Sequence, residues 1–155
     1  MQAPFEGVVR AHGSTVLRVC RALAGPHDAD DAWSETFLSA LRAWPDLPED
    51  ANVAGWLVTI ARNKCLDLHR STARRADPVA DLATLPVRGP VVGGVGAAAT
   101  SADPSEQLPD EPLWAALAAL SPRQRECVTL HHVAGMRHTE VAVLLDISPA
   151  AARRA

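Results

Sequence analysis

The chain has 155 residues, of which 48% are hydrophobic and 21% are charged, and its formal net charge is −3. This length allows one ordinary domain or two small ones, and the apolar content is enough for packed cores. No apolar run approaches the roughly 18–20 residues that cross a bilayer, and no signal peptide is evident. The three cysteines form no C-x-x-C pair, which argues against a disulfide framework or a structural zinc site and favours a reducing cytoplasm.

Charge is distributed unevenly along the chain. Residues 1–75 have no net charge, residues 76–112 have a net charge of −5, and residues 113–155 have a net charge of +2. The middle stretch also contains six of the 12 prolines and four of the nine glycines. This composition predicts a flexible acidic linker between two small domains. Because the acidity lies in the linker, the total charge does not argue against a nucleic-acid partner.

In the first predicted domain, residues 1–75, apolar side chains recur at steps of three and four residues. The pattern predicts three helices, at about residues 5–23, 28–44 and 53–75, with Gly25 and Pro45 ending the first two. No stretch shows the alternating pattern of a strand. We therefore predict an all-α fold.

The second predicted domain, residues 113–155, contains shorter helical patterns. Ser121, Pro122 and Gln124 form a capping-box sequence at the start of one helix, which we expect to run to Gly135. A further helix, a short turn and a helix capped by Ser148 then follow, which is the order of a helix-turn-helix. The alternative is an ordinary helical hairpin with a solvated basic end.

The third predicted helix has a basic face. Five positive charges lie within fourteen residues, against the single carboxylate of Asp67: Arg62, Lys64, Arg70, Arg74 and Arg75. Asn63 lies on the same face, so the stripe has the groups that bind phosphates and hydrogen-bond a base. A solvated charged surface is the alternative interpretation.

The second predicted helix begins with acidic residues, Asp28, Asp30, Asp31 and Glu35, with no Lys or Arg near them in the sequence. Carboxylates near the start of a helix stabilise it by interacting favourably with the helix dipole. The same residues could also form a docking face for a basic partner. A small enzyme with a metal site here is a third hypothesis. However, no histidine stands at ligand spacing and no nucleophile motif or phosphate loop is present, so we predict neither catalysis nor a cofactor.

Taken in chain order, these stretches resemble the extracytoplasmic-function sigma factors of bacterial RNA polymerase. Residues 28–37 (DADDAWSETF) are similar to that family's second conserved helix, and residues 55–70 (GWLVTIARNKCLDLHR) to its promoter-element helix. Residues 120–126 (LSPRQRE) and 141–148 (VAVLLDIS) are similar to its C-terminal helix-turn-helix domain. The order and spacing of the motifs are more specific than any one of them.

The resemblance implies a cytoplasmic, non-enzymatic subunit that binds core RNA polymerase and directs promoter recognition, DNA melting and initiation. It implies docking on the clamp coiled coil of the largest subunit through Asp28, Asp31, Ser34 and Glu35. The helix-turn-helix domain would contact the polymerase flap, and the acidic linker would follow the basic RNA-exit path. An anti-sigma factor is a further candidate partner, and no membrane association is implied.

The resemblance also implies the DNA contacts. In the promoter-melting domain, the −10 element would be bound by Arg62, Asn63, Asp67 and Arg70, and the loop from Asp46 to Asn52 would receive a flipped base. Melting needs no ATP, since contacts to single-stranded DNA offset the cost of unstacking. The −35 element would be contacted by four residues of the helix-turn-helix: Arg137, Ser148, Arg153 and Arg154.

The sequence departs from the family pattern at three places. Ser34 stands where the family often has Gln, Asp146 stands where it usually has Gly, and residues 150–152 are alanines where polar residues are common. We also expect the recognition helix to be truncated at Ala155, since six residues make a frayed helix. A helical adaptor, whose helix-turn-helix-like half binds protein rather than promoter DNA, is the alternative function.

Overall fold

The computed structural model describes residues 4–76 and 111–155, and in these two stretches it contains helices and turns but no strand. The predicted all-α fold is confirmed. The helices are α1 (Phe5–Ala24), α2 (Ala29–Ala43), α3 (Val53–Ala76), α4 (Glu111–Ala119), α5 (Pro122–Val128), α6 (His138–Leu145) and α7 (Pro149–Arg154). The predicted linker, residues 76–112, lies almost entirely outside the described residues.

Helices α1 to α3 form an N-terminal bundle with a shared apolar core. Val16, Val19 and Leu57 are almost completely buried, because the apolar stripes predicted from the sequence face one another. Trp33 also packs on this core, and its indole N–H donates to the Gly13 carbonyl at 2.9 Å. The bundle gives α3 a fixed inner face and leaves its basic residues on the other side.

The helix ends of the N-terminal bundle follow local chemistry. Gly25 ends α1 with a φ of 85°, a conformation that glycine adopts without steric cost. Helix α2 ends at Ala43 and tightens into a 3₁₀ turn, Trp44–Asp46, that includes the predicted stop Pro45. The Asn52 side chain accepts the Gly55 N–H at 3.1 Å and so caps the start of α3.

Helices α4 to α7 form a C-terminal bundle of short elements. The predicted capping box is present, since Ser121 Oγ accepts the Gln124 N–H and Gln124 Oε1 accepts the Ser121 N–H. The predicted helix to Gly135 is not one α-helix, however. It widens into a π-helical turn, Thr129–Val133, in which the Ala134 N–H donates to the Thr129 carbonyl at 3.0 Å.

The two bundles pack against each other, which the sequence did not predict. Helix α1 contacts α4, α5 and the π-helical turn, and the buried apolar side chains of both bundles form one continuous cluster. The Arg21 guanidinium lies 5.3 Å from the centre of the Trp114 ring, so a cation–π contact also joins α1 to α4. This packing places the C-terminal bundle beside the basic face of α3.

All three cysteines are free and buried. A hydrogen bond with Cys20, together with burial, raises the pKa of the Cys65 thiol, and burial raises that of Cys127. The thiols of Cys65 and Cys127 therefore pack as protonated, small apolar groups, while the hydrogen bond with Cys65 lowers the pKa of Cys20. In the described part of the chain, no helix has the length and apolarity required to span a membrane.

Candidate nucleic-acid interface

The acidic face of α2 is exposed as predicted, but it is not free of cations. Asp31, Ser34 and Glu35 are solvent-exposed, while Asp28 is partly buried at the N-cap position of the helix. The sequence placed no Lys or Arg near these acids. In the fold, Lys64 Nζ lies 3.9 Å from Glu35 Oε2, because α3 packs alongside α2 and residues distant in sequence become neighbours.

Two leucines, Leu38 and Leu41, extend this acidic face, although the i, i+4 spacing of Leu41 from Phe37 predicts Leu41 on the inner, apolar face of the helix. Leu38 is 48% exposed and Leu41 is 50% exposed, although helix α2 has a well-buried inner face for apolar residues. They follow Asp31 and Glu35 at helical spacing, so one side of α2 presents carboxylates and then apolar surface. The sequence indicated the exposure of Leu38, because Leu38 lies outside the buried apolar stripe formed by Ala32, Phe37 and Ala40.

The distal half of the basic face of α3 is open to solvent. Asn63, Asp67 and Arg70 are all exposed, and the Arg70 side chain, which is 72% exposed, forms a 3.7 Å surface ion pair with Asp67. Such a pair contributes little to stability and is readily exchanged for a phosphate contact. Arg74 lies one turn further on and donates to the Arg70 carbonyl at 3.3 Å.

Arg62 is different, because the structure places it between the two bundles. Its Nε and one terminal guanidinium nitrogen each lie 3.0 Å from Oε1 of Glu126 in α5, and only 15% of its side chain is exposed. Glu126 is itself buried, and its other carboxylate oxygen lies 3.7 Å from Arg123. The structure therefore separates Arg62 from Asn63 and Arg70, with which the sequence grouped it.

The loop before α3 presents two of the predicted DNA-binding residues at the surface. Asp46, in the 3₁₀ turn, and Asn52, at the start of α3, are both exposed. A cavity of about 470 Å³ opens beside Asn52, and residues of both bundles line it: Asn52, Gly55, Trp56, Thr59, Met136, Thr139, Glu140, Val143 and Leu144. The C-terminal bundle thus forms one wall of the cavity beside Asn52, at the end of the loop that was predicted to receive a flipped base.

Helices α6 and α7 form the predicted helix-turn-helix. Asp146 adopts left-handed dihedrals, φ 54° and ψ 50°, at the position where the family usually has Gly. Ala142 is buried where the helices approach, and the Ile147 N–H donates to its carbonyl at 3.0 Å. Ser148 Oγ accepts the Ala151 N–H at 3.1 Å, so this hydroxyl caps α7.

The basic residues of the helix-turn-helix are accessible. Arg137, Arg153 and Arg154 are all exposed, whereas Ala152 is buried against α6. Within residues 4–76 and 111–155, no carboxylate forms an ion pair with Arg153 or Arg154. Both guanidinium groups lie at the exposed surface, and Arg154 Nε donates to the Ala150 carbonyl at 3.3 Å.

Three histidines cluster beside α7. The rings of His131 and His138 lie with centroids 3.8 Å apart, and His131 Nδ1 lies 2.7 Å from the Met136 carbonyl oxygen. Desolvation, together with the neighbouring His131, Arg153 and His132, lowers the pKa of His138. The described residues contain no group of three His, Cys, Asp or Glu side chains that would hold a metal ion.

Both bundles match the models of known protein families. Residues 8–75 match the model of sigma-70 region 2, and residues 110–155 match that of sigma-70 region 4. The RNA polymerase sigma factor CarQ of Myxococcus xanthus is 32% identical over 98% of this chain and 82% of its own. The chain belongs to the RNA polymerase sigma factors of the extracytoplasmic-function type.

Further relatives support this family membership. The sigma factor CnrH of Cupriavidus metallidurans is 29% identical over 95% of this chain and 78% of its own. The extracytoplasmic-function sigma factor BldN of Streptomyces coelicolor is 31% identical over 89% of this chain and 50% of its own. The sigma factor RpoE of Bartonella quintana, solved in complex with the anti-sigma factor NepR, has the same fold, with a TM-score of 0.70 and 20% identity over 97% of this chain and 88% of its own.

Proposed function

We propose that this sigma factor contacts core polymerase through the outer face of α2 and promoter DNA through α3 and α7. Promoter recognition is the function of the family, and the match of both regions in chain order carries this conclusion. The exposure of Asp31, Glu35, Asn63, Arg70 and Arg153 supports the assignment of the individual surfaces. The protein works with the polymerase in the cytoplasm and has no enzymatic activity of its own.

The docking face of α2 consists of Asp31, Ser34 and Glu35, with Asp28 at its edge. The exposed leucines Leu38 and Leu41 give this face the apolar area that a stable contact needs, since charge alone mainly provides steering and specificity. Its partner is a basic and partly apolar helical surface, for which the clamp coiled coil of the largest subunit is the proposed candidate. The C-terminal bundle would contact the flap.

The docking face is tested by charge reversal. Asp31→Lys and Glu35→Lys should each weaken binding to core polymerase about tenfold, because like charges then meet across the interface. Glu6→Lys, an equal change of charge at an exposed site on α1, is the matched control and should bind as the wild type. Unchanged affinity in both α2 variants would reject this face.

The −10 surface is formed by Asn63, Asp67 and Arg70 along α3, with Arg62 beside them and the loop from Asp46 to Asn52 at its end. The exposed amide of Asn63 is suited to hydrogen-bond an unpaired base, and Arg70 is suited to a phosphate. Bases are read in single strands once the duplex opens, so the contacts themselves favour the melted state.

The −10 assignment is tested with purified core polymerase and genomic DNA fragments, with transcription start sites mapped. Asn63→Ala should reduce open-complex formation about tenfold and leave polymerase binding intact, since it removes a base contact alone. Thr72→Ala, another exposed change on α3, is the control. An equal loss of polymerase binding and open complex in Asn63→Ala would contradict the assignment. If no transcription start sites are found, the alternative function is favoured, in which the protein is a helical adaptor that binds protein rather than promoter DNA.

The −35 surface is the exposed part of the helix-turn-helix, where Arg153 and Arg154 lie on α7 and Arg137 at the start of α6. Arg153→Ala and Arg154→Ala should each make the fall of log affinity with log salt less steep by about one, if each removes one phosphate contact and the counterion release that goes with it. Arg10→Ala, an exposed change on α1, should leave this slope unchanged. An anti-sigma factor would bind where it blocks these surfaces.

A further inference from the structure

The histidine cluster, which consists of His131, His132 and His138, lies next to two arginines of the proposed −35 surface. His138 is the first residue of α6 and directly follows the exposed Arg137. Desolvation is the main cause of the low pKa of His138, and the charges of His131, Arg153 and His132 add to it. Arg153 of α7 and the two histidines of the π-helical turn are therefore neighbours of this ring. The imidazoles belong to the same surface as the arginines.

The rings of the histidine cluster are closely packed. The ring centroids of His131 and His138 are 3.8 Å apart, and those of His131 and His132 are 4.7 Å apart. The Met136 carbonyl can only accept a hydrogen bond, so His131 Nδ1, 2.7 Å away, carries a proton, and Nε2 is the atom that can take up another. Two imidazolium rings at this distance repel each other, which opposes protonation of the free cluster.

Carboxylates are scarce around the histidine cluster. Residues 129–155 contain only two acidic side chains, and both belong to α6 or its end, since the π-helical turn (TLHHV) and α7 (PAAARR) contain none. Glu140 Oε2 accepts the Arg137 N–H at 2.7 Å, and Asp146 lies at the far end of α6 from His138. The charge that would stabilise an imidazolium ion is therefore left for a partner to supply.

Helices α5 and α1, which also pack on the π-helical turn, direct charged groups elsewhere. Glu126 lies against Arg62 and Arg123, and Arg125 donates to three carbonyls at the end of α4. Arg21 of α1 lies over the Trp114 ring. The charged neighbours of the cluster are thus mainly cations, the setting in which an added phosphate has the largest effect on protonation.

We propose that the histidine cluster is a proton-dependent phosphate site of the helix-turn-helix, at which the backbone of duplex DNA binds more tightly as the pH falls. The proposal rests on the assignment of α7 to the −35 element and adds to it a response to acid. A phosphate beside His138 stabilises the imidazolium form, because an opposite charge offsets the repulsion between the neighbouring cations. The complex then binds a proton that the free protein does not, so affinity rises as the pH falls. A phosphate contact carries no sequence information, so the gain applies to any duplex.

The first experiment measures binding of the full chain to a random duplex of about 30 base pairs by fluorescence anisotropy, at pH 7.5 and pH 6 and constant ionic strength. The wild type should bind about tenfold more tightly at pH 6, since uptake of one proton changes affinity up to tenfold per pH unit. His138→Gln should lose most of this gain. His27→Gln, which removes an exposed histidine between α1 and α2, is the control and should keep it. Circular dichroism at both pH values checks that each variant is folded.

The variant His138→Lys separates a charge contact from a structural role of the ring. Its fixed positive charge should give, at pH 7.5, the affinity that the wild type reaches at pH 6, with little further change on acidification. A ring that only packs would not be replaced by lysine in this way. An acid gain in His138→Gln equal to that of the wild type, or a His138→Lys variant that binds no better than His138→Gln at pH 7.5, would overturn the proposal.

The salt dependence gives an independent measurement. The fall of log affinity with log salt should be steeper by about one at pH 6 than at pH 7.5 in the wild type, and equal at both pH values in His138→Gln. Arg153→Ala at pH 7.5 tests the underlying assignment. If Arg153→Ala weakens binding but the wild type gains nothing at pH 6, the histidine site is rejected and the −35 surface stands. If Arg153→Ala binds as the wild type does, or no chain binds the duplex, both are rejected.

Discussion

The two bundles maintain their structure by different means. Helices α1, α2 and α3 have 20, 15 and 24 residues, and their long apolar stripes bury one another. Helices α4 to α7 have six to nine residues, which is too short for independent stability. At almost every helix end of this bundle, a side chain forms a hydrogen bond with the backbone, and these bonds compensate for the low stability of short helices. The comparison indicates that apolar area stabilises the first bundle and that polar caps stabilise much of the second.

Arg125 shows most clearly how the second bundle is held. Its guanidinium donates to the carbonyls of Leu117, Ala118 and Leu120, at 2.8, 2.7 and 3.1 Å, and so satisfies the end of α4. Arg123 likewise donates to the Leu145 carbonyl at 3.1 Å and joins α5 to α6. These residues are polar, so hydrophobic periodicity in the sequence gave no indication of their structural role.

The largest expected effect is the loss of a core leucine. Leu57 in the first bundle and Leu130 in the second are both completely buried, so Leu57→Ala and Leu130→Ala should each cost about 2–5 kcal/mol in the free energy of unfolding. Leu113→Ala, at a site that is 47% exposed, should cost less than about 0.5 kcal/mol. Urea titration followed by circular dichroism measures all three.

Because the apolar cluster is continuous, Leu57→Ala should also lower the unfolding midpoint of the second bundle. Trp114 lies in α4 and reports on that bundle, provided that the other three tryptophans are replaced by Phe in a reference chain. If the reference chain unfolds in two independent transitions and Leu57→Ala shifts only one of them, this expectation is contradicted. The two bundles would then be separate cooperative units.

The next effect in size concerns the polar contacts. Arg125→Ala should destabilise the protein by about 2 kcal/mol, because three carbonyls of α4 lose a charged donor. Arg74→Ala removes one exposed bond to the Arg70 carbonyl in the first bundle and should cost less than about 0.5 kcal/mol. Equal losses in urea titrations of the two variants would show that the bundles do not differ in their dependence on such bonds.

A smaller effect is expected at the turn of the helix-turn-helix. Asp146→Gly should stabilise the protein by about 0.5 kcal/mol, since the φ of 54° carries a steric cost for every residue with a Cβ. Asp146→Val should destabilise it by about 1–2 kcal/mol, because a β-branched side chain fits these dihedrals worst. The difference in thermal midpoint between the two variants gives the size of the effect.

The sequence predicted much of the fold because it depends on local and periodic signals. The end of α1 at Gly25, the end of α2 shortly before Pro45, the capping box at Ser121 and the turn at Asp146 are each encoded within a few residues. The π-helical turn after Val128 was missed, since a single widened turn leaves the apolar spacing almost unchanged.

The candidate site was predictable only in part, because some of its contacts join distant segments. The exposure of Asn63 and Arg70 follows from their position opposite the apolar stripe of α3. The pairing of Arg62 with Glu126 does not, since 64 residues separate them and both were plausible surface charges. Lys64 near Glu35 is a similar case, in which the packing of α3 on α2 decides the contact.

The smallest expected effect is a dependence of stability on pH that arises from His138 in the second bundle. The pKa of His138 lies below its ordinary value of 6.5, first through desolvation and then through His131 and Arg153. The unfolded chain therefore binds a proton at a higher pH than the folded one, so stability falls as the pH drops below about 6.5. His138→Gln should flatten the dependence of the urea midpoint between pH 7 and pH 5. His12→Gln, in the first bundle, is the matched control for the loss of one imidazole. If both variants keep the wild-type slope, carboxylates elsewhere set the acid sensitivity, and the histidine cluster beside α7 plays no part in it.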